Sequence, residues 1–511
     1  MDRFNQRWAL PVLAICLSTL PGCPASAPPH SPSATLPAGS RPLIIDMTGN
    51  VGGTVEPCGC TQGELGGLAR RALIISEARQ RFADHYLFVD YGNLLYPATP
   101  ATDLERPQRR LRAATLANAT SRMRIDAFNL SVPDLEGGAS EALSIIRAAG
   151  LPVLSANVVG DDGRPVVPSH VTVTRAGLRI AITGIAETGD AQVSPPAGFR
   201  IIPPADALRE LLPRLRKEHD FVLVLSHARH LTHERIGQEL GPLLLLGSQF
   251  DQMGFPEPLD GGSVNAAATT LGRHVARLNV DIAAAGSPFA PVSPKGSEAA
   301  GGKALQRANH YRLELIPVSR MTGEDPETRR LIDDMKKRMV SESIETFGRR
   351  AALAASRERP VYAGAQSCQK CHQMQYDWWQ QHAHSKAYAT LEQMNSHTDM
   401  TCIGCHSTGY NQPGGYDGGV VPAFFAGVQC EACHGVAAAH VRDVLAYKPG
   451  KLVAKETCLA CHGKFHEQKE FNYEKMLGLA SCPSARPRDP HAPPPEREPD
   501  TGGDATEEKG Y

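Results

Sequence analysis

Four copies of one pattern, Cys-x-x-Cys-His, lie between residues 368 and 462: Cys368-Gln-Lys-Cys371-His372, Cys402-Ile-Gly-Cys405-His406, Cys430-Glu-Ala-Cys433-His434 and Cys458-Leu-Ala-Cys461-His462. Nothing else in the chain limits what its last third can fold into so strongly. Two thiols three positions apart can bond both vinyl groups of one porphyrin, and the adjacent histidine then lies under the ring to ligate iron. Each copy therefore predicts one covalently attached haem c, four in all, with His372, His406, His434 and His462 as proximal ligands. Paired cysteines also build zinc sites and thiol redox couples. Four copies, each followed at once by histidine in a stretch with little else to form a core, favour haem over both. Sixth ligands must come from elsewhere, from His382, His384, His397, His440 or His466. Imidazole on both sides of iron suits one-electron transfer rather than oxygen binding.

The chain has thirteen cysteines, and outside the haem motifs and the leader only Cys23, Cys58, Cys60 and Cys482 remain. This is a haem framework rather than a disulfide framework. Arg3 and Arg7 precede an apolar run from Trp8 to Leu20, the form of an export signal, which places the protein outside the cytoplasm. Leu20-Pro21-Gly22-Cys23 resembles a bacterial lipobox, which implies a lipid on Cys23 and a membrane anchor; the alternative is ordinary cleavage near Ala25 or Ala27. Lys and Arg (53) balance Asp and Glu (54), so no basic field exists for nucleic acid.

Composition divides the rest. Residues 24–41 are rich in Pro, Ser and Ala and read as a tether. Residues 42–317 alternate short apolar runs (Leu43 to Asp46, Tyr86 to Val89, Arg179 to Ile185, Phe221 to Leu225) with helix-like stretches (Gly67 to Arg81, Ser140 to Ala149), the pattern of a layered α/β domain. Within it, residues 283–303 read as loop before a strand at Tyr311 to Pro317. Residues 318–359 hold a charged connecting helix with Pro326 in its first turn. Residues 360–482 form a mainly α, haem-packed domain, and the Pro-rich charged tail, 483–511, is expected to be disordered.

Tyr362-x-Gly364, the first haem motif, Trp379, His384-Ser-Lys-Ala387, Cys405-His406-Ser-Thr-Gly409, Gly427-Val-Gln-Cys430 through Gly435, and His440 together resemble the cytochrome c-554 family of tetrahaem cytochromes. The resemblance covers about residues 360–482. It implies that His384 and His440 are distal ligands to haems attached at other motifs, and that one haem, with His406 the weaker choice for its proximal ligand, lacks a strong protein sixth ligand. The sequence departs from the family at Leu479-Ala-Ser-Cys482-Pro483, where a further distal histidine is usual. Cys482 or His466 would then serve, or a second haem is five-coordinate.

Gly66-Gly67-Leu-Ala-Arg70, Val89-Asp90-Tyr-Gly92-Asn93, Leu154-Ser-Ala-Asn157, Leu225-Ser-His227 and Leu271-Gly272-Arg273 resemble the calcineurin-like metallophosphatase domain of bacterial 5'-nucleotidases, a layered sandwich of sheets flanked by helices. The ligands for its two metals are mostly missing. The Asp-x-His opening is Asp46-Met-Thr48 or, shifted, Asn50-Val-Gly52; the bridging Gly-Asp is Gly92-Asn93; the Gly-Asn-His-Asp/Glu signature is Ser131-Val-Pro133-Asp134; and the closing Gly-His-x-His is Gly247-Ser-Gln-Phe250. Only His227 survives clearly. Two cations about 4 Å apart need a bridging carboxylate and several imidazoles, so hydrolysis is not expected. Cys58-Gly-Cys60 stands near the lost opening motif, as a soft-metal site, a pair for a partner's thiol, or idle thiols. His227, His230 and His233 offer themselves to such a site, though three solvated histidines are the plainer reading of their spacing. Three functions follow: an electron carrier serving redox partner proteins, a metal-dependent nucleotidase with an appended cytochrome, or a haem oxidoreductase acting on a small nitrogen compound.

Overall fold

The computed structural model describes residues 41–57, 64–189, 195, 197–249, 254, 256–292, 308–355, 361–445, 447–450, 453–462 and 472–483. The expectations for the leader, Cys23, Cys58, Cys60, His466 and the tail beyond residue 483 lie outside these.

Period-two burial builds two sheets. In Phe221–His227, Phe221, Leu223 and Leu225 pack into one core while Val222 and Val224 pack into another, because successive strand side chains point to opposite faces. The larger sheet runs, edge to edge, through Phe289–Pro291, Asn309–Pro317, His274–Ile282, Arg41–Thr48, Tyr86–Asp90, Ala127–Asn129 and Val153–Leu154. The smaller runs through Glu257–Leu259, Ser263–Ala266, Leu244–Leu246, Phe221–His227, Leu178–Ala186 and His170–Arg175. Each combines parallel with antiparallel pairs: Ile44↔Tyr86 and Ile45↔Leu278 in the larger, Thr183↔Val224 and Thr172↔Ala181 in the smaller. Leu43, Ile45, Met47, Ile180, Ile182 and Leu223 fill the space between the sheets.

Helices α1 (Leu68–Phe82), α2 (Arg106–Arg122) and α3 (Ala139–Ala149) cover the outer face of the larger sheet, while α4 (Pro204–Glu218) and α5 (His230–Leu240) cover that of the smaller. The result is a four-layer mixed α/β sandwich, as the alternation of elements predicts. One difference lies in the stretch read as loop: Phe289–Pro291 pairs in parallel with Asn309–Pro317 as the edge strand. Three residues among Ala, Gly, Ser and Pro carry too little apolar periodicity to announce a strand, and edge pairing supplies what the pattern lacks.

Helix α6 (Pro326–Ala355) is more than a connector. Its Ile332, Met335 and Met339 belong to the core beneath α1 and α2, and its Phe347 belongs to the core of the C-terminal region. That region is a set of short helices: α7 (Ala365–Cys368), α8 (Gln373–Gln381), α9 (Ala387–Gln393), α10 (Met400–His406), α11 (Cys430–His434), α12 (Ala438–Arg442), α13 (Lys455–His462) and α14 (Tyr473–Ala480). Among the described residues, no helix is long and apolar enough to cross a membrane.

Candidate functional site

All four cysteine motifs fall on helical turns. Three close a helix, α10, α11 and α13, with the histidine as its last residue, and the first follows α7, with His372 N–H donating to Cys368 C=O at 2.9 Å. A helical turn sets residues three and four apart on one face, so each turn presents two thiols and an imidazole together. The motifs also meet in pairs. The Cys368 and Cys430 thiols lie close enough to compete for one proton, which holds Cys368 below its ordinary range and pushes Cys430 up; Cys405 and Cys461 interact likewise, with Cys405 lowered to about 7. First and third motifs are thus neighbours, and so are second and fourth.

The imidazoles are presented for coordination. Nδ1–H of His406 donates to Ala387 C=O at 2.7 Å, that of His434 to Gly450 C=O at 2.7 Å, and that of His440 to Tyr447 C=O at 2.8 Å. A carbonyl can only accept, so Nδ1 carries the proton and Nε2 keeps its lone pair for a metal. His372 and His440 have ring centres 6.4 Å apart, and His384 and His462 have theirs 6.2 Å apart. A metal–imidazole bond is about 2 Å, and the bonded nitrogen lies about 1 Å from its ring centre, so two imidazoles sharing one metal from opposite sides have centres about 6 Å apart. Both pairs have the separation that one intervening iron requires. Burial, with His382 and His462 alongside, pushes His384 down to about 4 and keeps it neutral. Among the other candidates, His382 stacks on Trp378 at 4.7 Å and its Nδ1 accepts from His384 N–H at 3.2 Å, while Nδ1 of His397 is buried without a hydrogen-bond partner.

Packing supports the same occupant. The apolar core of the region is small, centred on Tyr362, Ile403, Tyr416 and Phe425, while Val444 and Leu445 beside His440 are 51% and 85% exposed. So thin a core does not hold such a length of chain by side-chain burial alone. Flat apolar groups bonded to the motif cysteines would supply the missing interior. Side chains in and beside the third motif fix backbone elsewhere in the region: the buried Glu431 carboxylate accepts from the N–H groups of Ala363, Gly364 and Ala437 at 2.7–2.8 Å, and Gln429 Oε1 accepts from Ala365 N–H at 2.8 Å. The third motif thereby holds the start of the first. Gly364 has φ 74°, and a Cβ there would come within 2.7 Å of Phe424, so glycine is needed on both counts. Cys482 is exposed near Cys430 and Cys433, partial desolvation raises its thiol, and the next residue is held by Gln375 Nε2 donating to Pro483 C=O at 3.0 Å.

In the α/β sandwich the degenerate metal positions are joined to one another. His227 Nε2–H donates to Asn50 Oδ1 at 3.1 Å, and Asn50 Nδ2 donates to Ser248 C=O at 2.9 Å. Asn93 Nδ2 approaches the same Asn50 oxygen at 3.4 Å. The shifted reading of the opening motif, at Asn50, is therefore the one that faces His227. Asp46 instead points to Arg277 (2.7 and 2.8 Å) and Tyr86 Oη (2.8 Å), and Asp134 accepts from the backbone of Asn93, Leu94 and Leu95. Asp90 is buried against Thr48 and Gly92, and burial pushes it up to about 7. Among the described residues, no three His, Cys, Asp or Glu side chains are grouped to hold a metal ion. His227, His230 and His233 do not converge, and the expectation that all three are solvated is corrected. His227 and His233 are 1% and 0% exposed. His233 Nε2 pairs with Ser226 Oγ at 2.7 Å, while His230 turns outward to Glu234 and Glu257. Asn50 and Ser226 supply partners that helical spacing does not announce. Gln108 and Arg112, unremarked in sequence, join the sandwich to the second motif.

Residues 367–435 match the family model described as cytochrome c554 and c-prime. The chain is 31% identical over 112 residues to the cytochrome c-554 of Nitrosomonas europaea, a match that covers 19% of this chain and 46% of that protein. The chain thus spans less than half the length of the curated relative it matches. Three solved structures resemble the fold. A 5'-nucleotidase precursor from Thermus thermophilus is 18% identical with a TM-score of 0.46, covering 59% of each chain. A sulfate thiohydrolase from Thermus thermophilus is 13% identical at 0.46 over 61% of each. A calcineurin-like phosphoesterase from Bacillus subtilis is 13% identical at 0.43, over 58% of this chain and 98% of that one.

Proposed function

We propose that this protein is an exported electron-transfer cytochrome carrying four haem c groups, with an α/β sandwich that does not hydrolyse phosphate esters. The observation that carries the reading is the two imidazole pairs, His372 with His440 and His384 with His462, whose ring centres lie at the spacing of two ligands on one iron. Haem c, when bound, supplies a one-electron couple. The chain does the rest. Cys368 and Cys371, Cys402 and Cys405, Cys430 and Cys433, and Cys458 and Cys461 tether the groups. His372, His406, His434 and His462 would hold the irons as proximal ligands, with His440, paired with His372, and His384, paired with His462, as the distal ligands. Carbonyls at Ala387, Gly450 and Tyr447 fix the tautomer and aim of His406, His434 and His440. The paired motifs would hold the groups near one another, as a relay of electrons between partner proteins outside the cytoplasm needs, with Cys23 as the membrane anchor.

In the sandwich, a neutral network of Asn50, Asn93 and His227 occupies the place of charged metal ligands. We therefore expect no zinc- or manganese-dependent phosphate release from AMP by the purified protein. A second reading has one specific support, in the sequence: where the resembled family has a further distal histidine this chain has Leu479-Ala-Ser-Cys482-Pro483, which leaves one iron short of an imidazole. An open iron there would bind a small molecule such as nitric oxide. Pyridine haemochrome analysis with intact mass should count four haems and reveal any N-terminal lipid. A colourless product from a host competent in cytochrome maturation would defeat the proposal, and an unchanged spectrum when nitric oxide meets the reduced protein would remove the second reading.

A further inference from the structure

One face of α2 reaches out of the sandwich into the turn that presents the second cysteine motif. Gln108 and Arg112 lie four residues apart, hence one above the other on the helix, and are 6% and 8% exposed. Gln108 uses both ends of its amide: Nε2 donates to Thr398 C=O at 2.7 Å and Ser343 Oγ at 3.0 Å, and Oε1 accepts from Met400 N–H at 2.9 Å. Gly419 closes the same node, where a Cβ would stand 2.8 Å from Thr398 C=O. Arg112 forms an ion pair with Asp399 and donates to Thr401 Oγ1 at 3.0 Å. Asp399 in turn caps α10, accepting from Thr401 N–H at 2.9 Å. The carboxylate that starts the helix bearing Cys402, Cys405 and His406 therefore has its counter-ion in the other layered unit. Met400 and Ile403 are buried on the same helix, so its position is set from both sides.

We infer that Arg112 and Gln108 are positioning residues for the haem attached at Cys402 and Cys405, which makes the α/β sandwich a structural part of that one redox centre. The inference rests on the haem reading above. A buried amide with its donors and acceptor all used tolerates little displacement, because any shift leaves a polar group unpaired. The ion pair is equally exacting: without Arg112, Asp399 keeps an uncompensated charge at the start of the haem-bearing helix. A buried negative charge favours the oxidised iron, so the midpoint potential of that haem should fall while the other three hold.

The full-length holoprotein, matured with its haems, tests this by potentiometric titration and low-temperature electron paramagnetic resonance on the Arg112→Met, Arg112→Lys and Gln108→Leu variants. A His406→Met variant identifies the component that belongs to the second motif, since methionine ligation raises its potential. The expected result is four haems per chain by intact mass in the Arg112 and Gln108 variants. The identified component should shift to lower potential in Arg112→Met, at least half of that shift should be regained in Arg112→Lys, and the corresponding ferric signal should broaden in Gln108→Leu. Unchanged titrations in both Arg112→Met and Gln108→Leu would overturn the inference, as would an equal shift of all four components, which marks general loosening. Absence of haem from Cys402 and Cys405 in the unaltered chain would instead defeat the underlying haem reading, and the inference with it.

Discussion

His227 and His233 are imidazoles that the fold keeps uncharged, and acid should expose the cost. Burial pushes both from 6.5 down to about 4. A folded pKa below the unfolded one means the unfolded chain binds more protons between those values, so stability is full above about 6.5 and drains away as pH falls toward 4. At 1.36 kcal/mol per unit, the loss is about 3 kcal/mol for each histidine. Asp90, raised from 3.8 to about 7, has the opposite sign and gives back part of this as pH falls through the same window. His227→Gln should therefore flatten the decline of stability between pH 6.5 and 4 in urea titrations; an unaltered slope would refute neutral burial. The proposed distal ligands allow a second check at this scale. His440→Ala should keep all four haems, because the thioethers remain, yet convert one haem from low-spin to high-spin in the visible and electron paramagnetic resonance spectra. Retention of the full low-spin signal would remove His440 from that role.

Among elements, contiguous information was legible and assembled information was not. The cysteine motifs could be read because their five residues are adjacent, and strands such as Phe221–His227 because both faces are apolar and buried. Helix α6 announced itself through helix-forming residues and Pro326 in its first turn, but its function as a shared wall stayed hidden. Ile332, Met335 and Met339 serve one core and Phe347 another, and a sequence pattern does not label which core an apolar residue joins. Likewise Arg112 meets Asp399 across 287 positions, and His227 meets Asn50 across 177. A lone polar residue gives no local sign of such a partner. Glu431 is the sharpest case: within its motif it looks like a variable position, yet it accepts three backbone N–H groups from two other segments. Glu431→Ala leaves those donors buried and unpaired, a loss of roughly 2–4 kcal/mol. Thermal melts of the holoprotein should show it, with Glu431→Gln recovering part because its amide oxygen still accepts. A melting temperature within error of the parent for Glu431→Ala would mean that water replaces the carboxylate.

At the scale of the whole molecule, the question is whether sandwich and haem region unfold as one body or two. Helix α6 contributes to both cores, Lys336 on it pairs with Glu56 while donating to Met394 C=O at 3.1 Å, and Gln108 and Arg112 cross the seam in buried positions. A unit that unfolded alone would strip partners from buried polar groups in the unit left behind, and that penalty couples the two transitions. Far-ultraviolet circular dichroism, dominated by the sandwich, and Soret absorbance, which reports only the haem region, should therefore melt at the same temperature. The coupling can be challenged from one side. Met339 is 3% exposed in the sandwich core, and Met339→Asp buries an unpaired charge there, costing about 3 kcal/mol or more. If the seam binds the units together, the Soret transition moves down with the dichroism although no haem contact has been altered. If only the dichroism moves, the sandwich and the cytochrome are independent bodies.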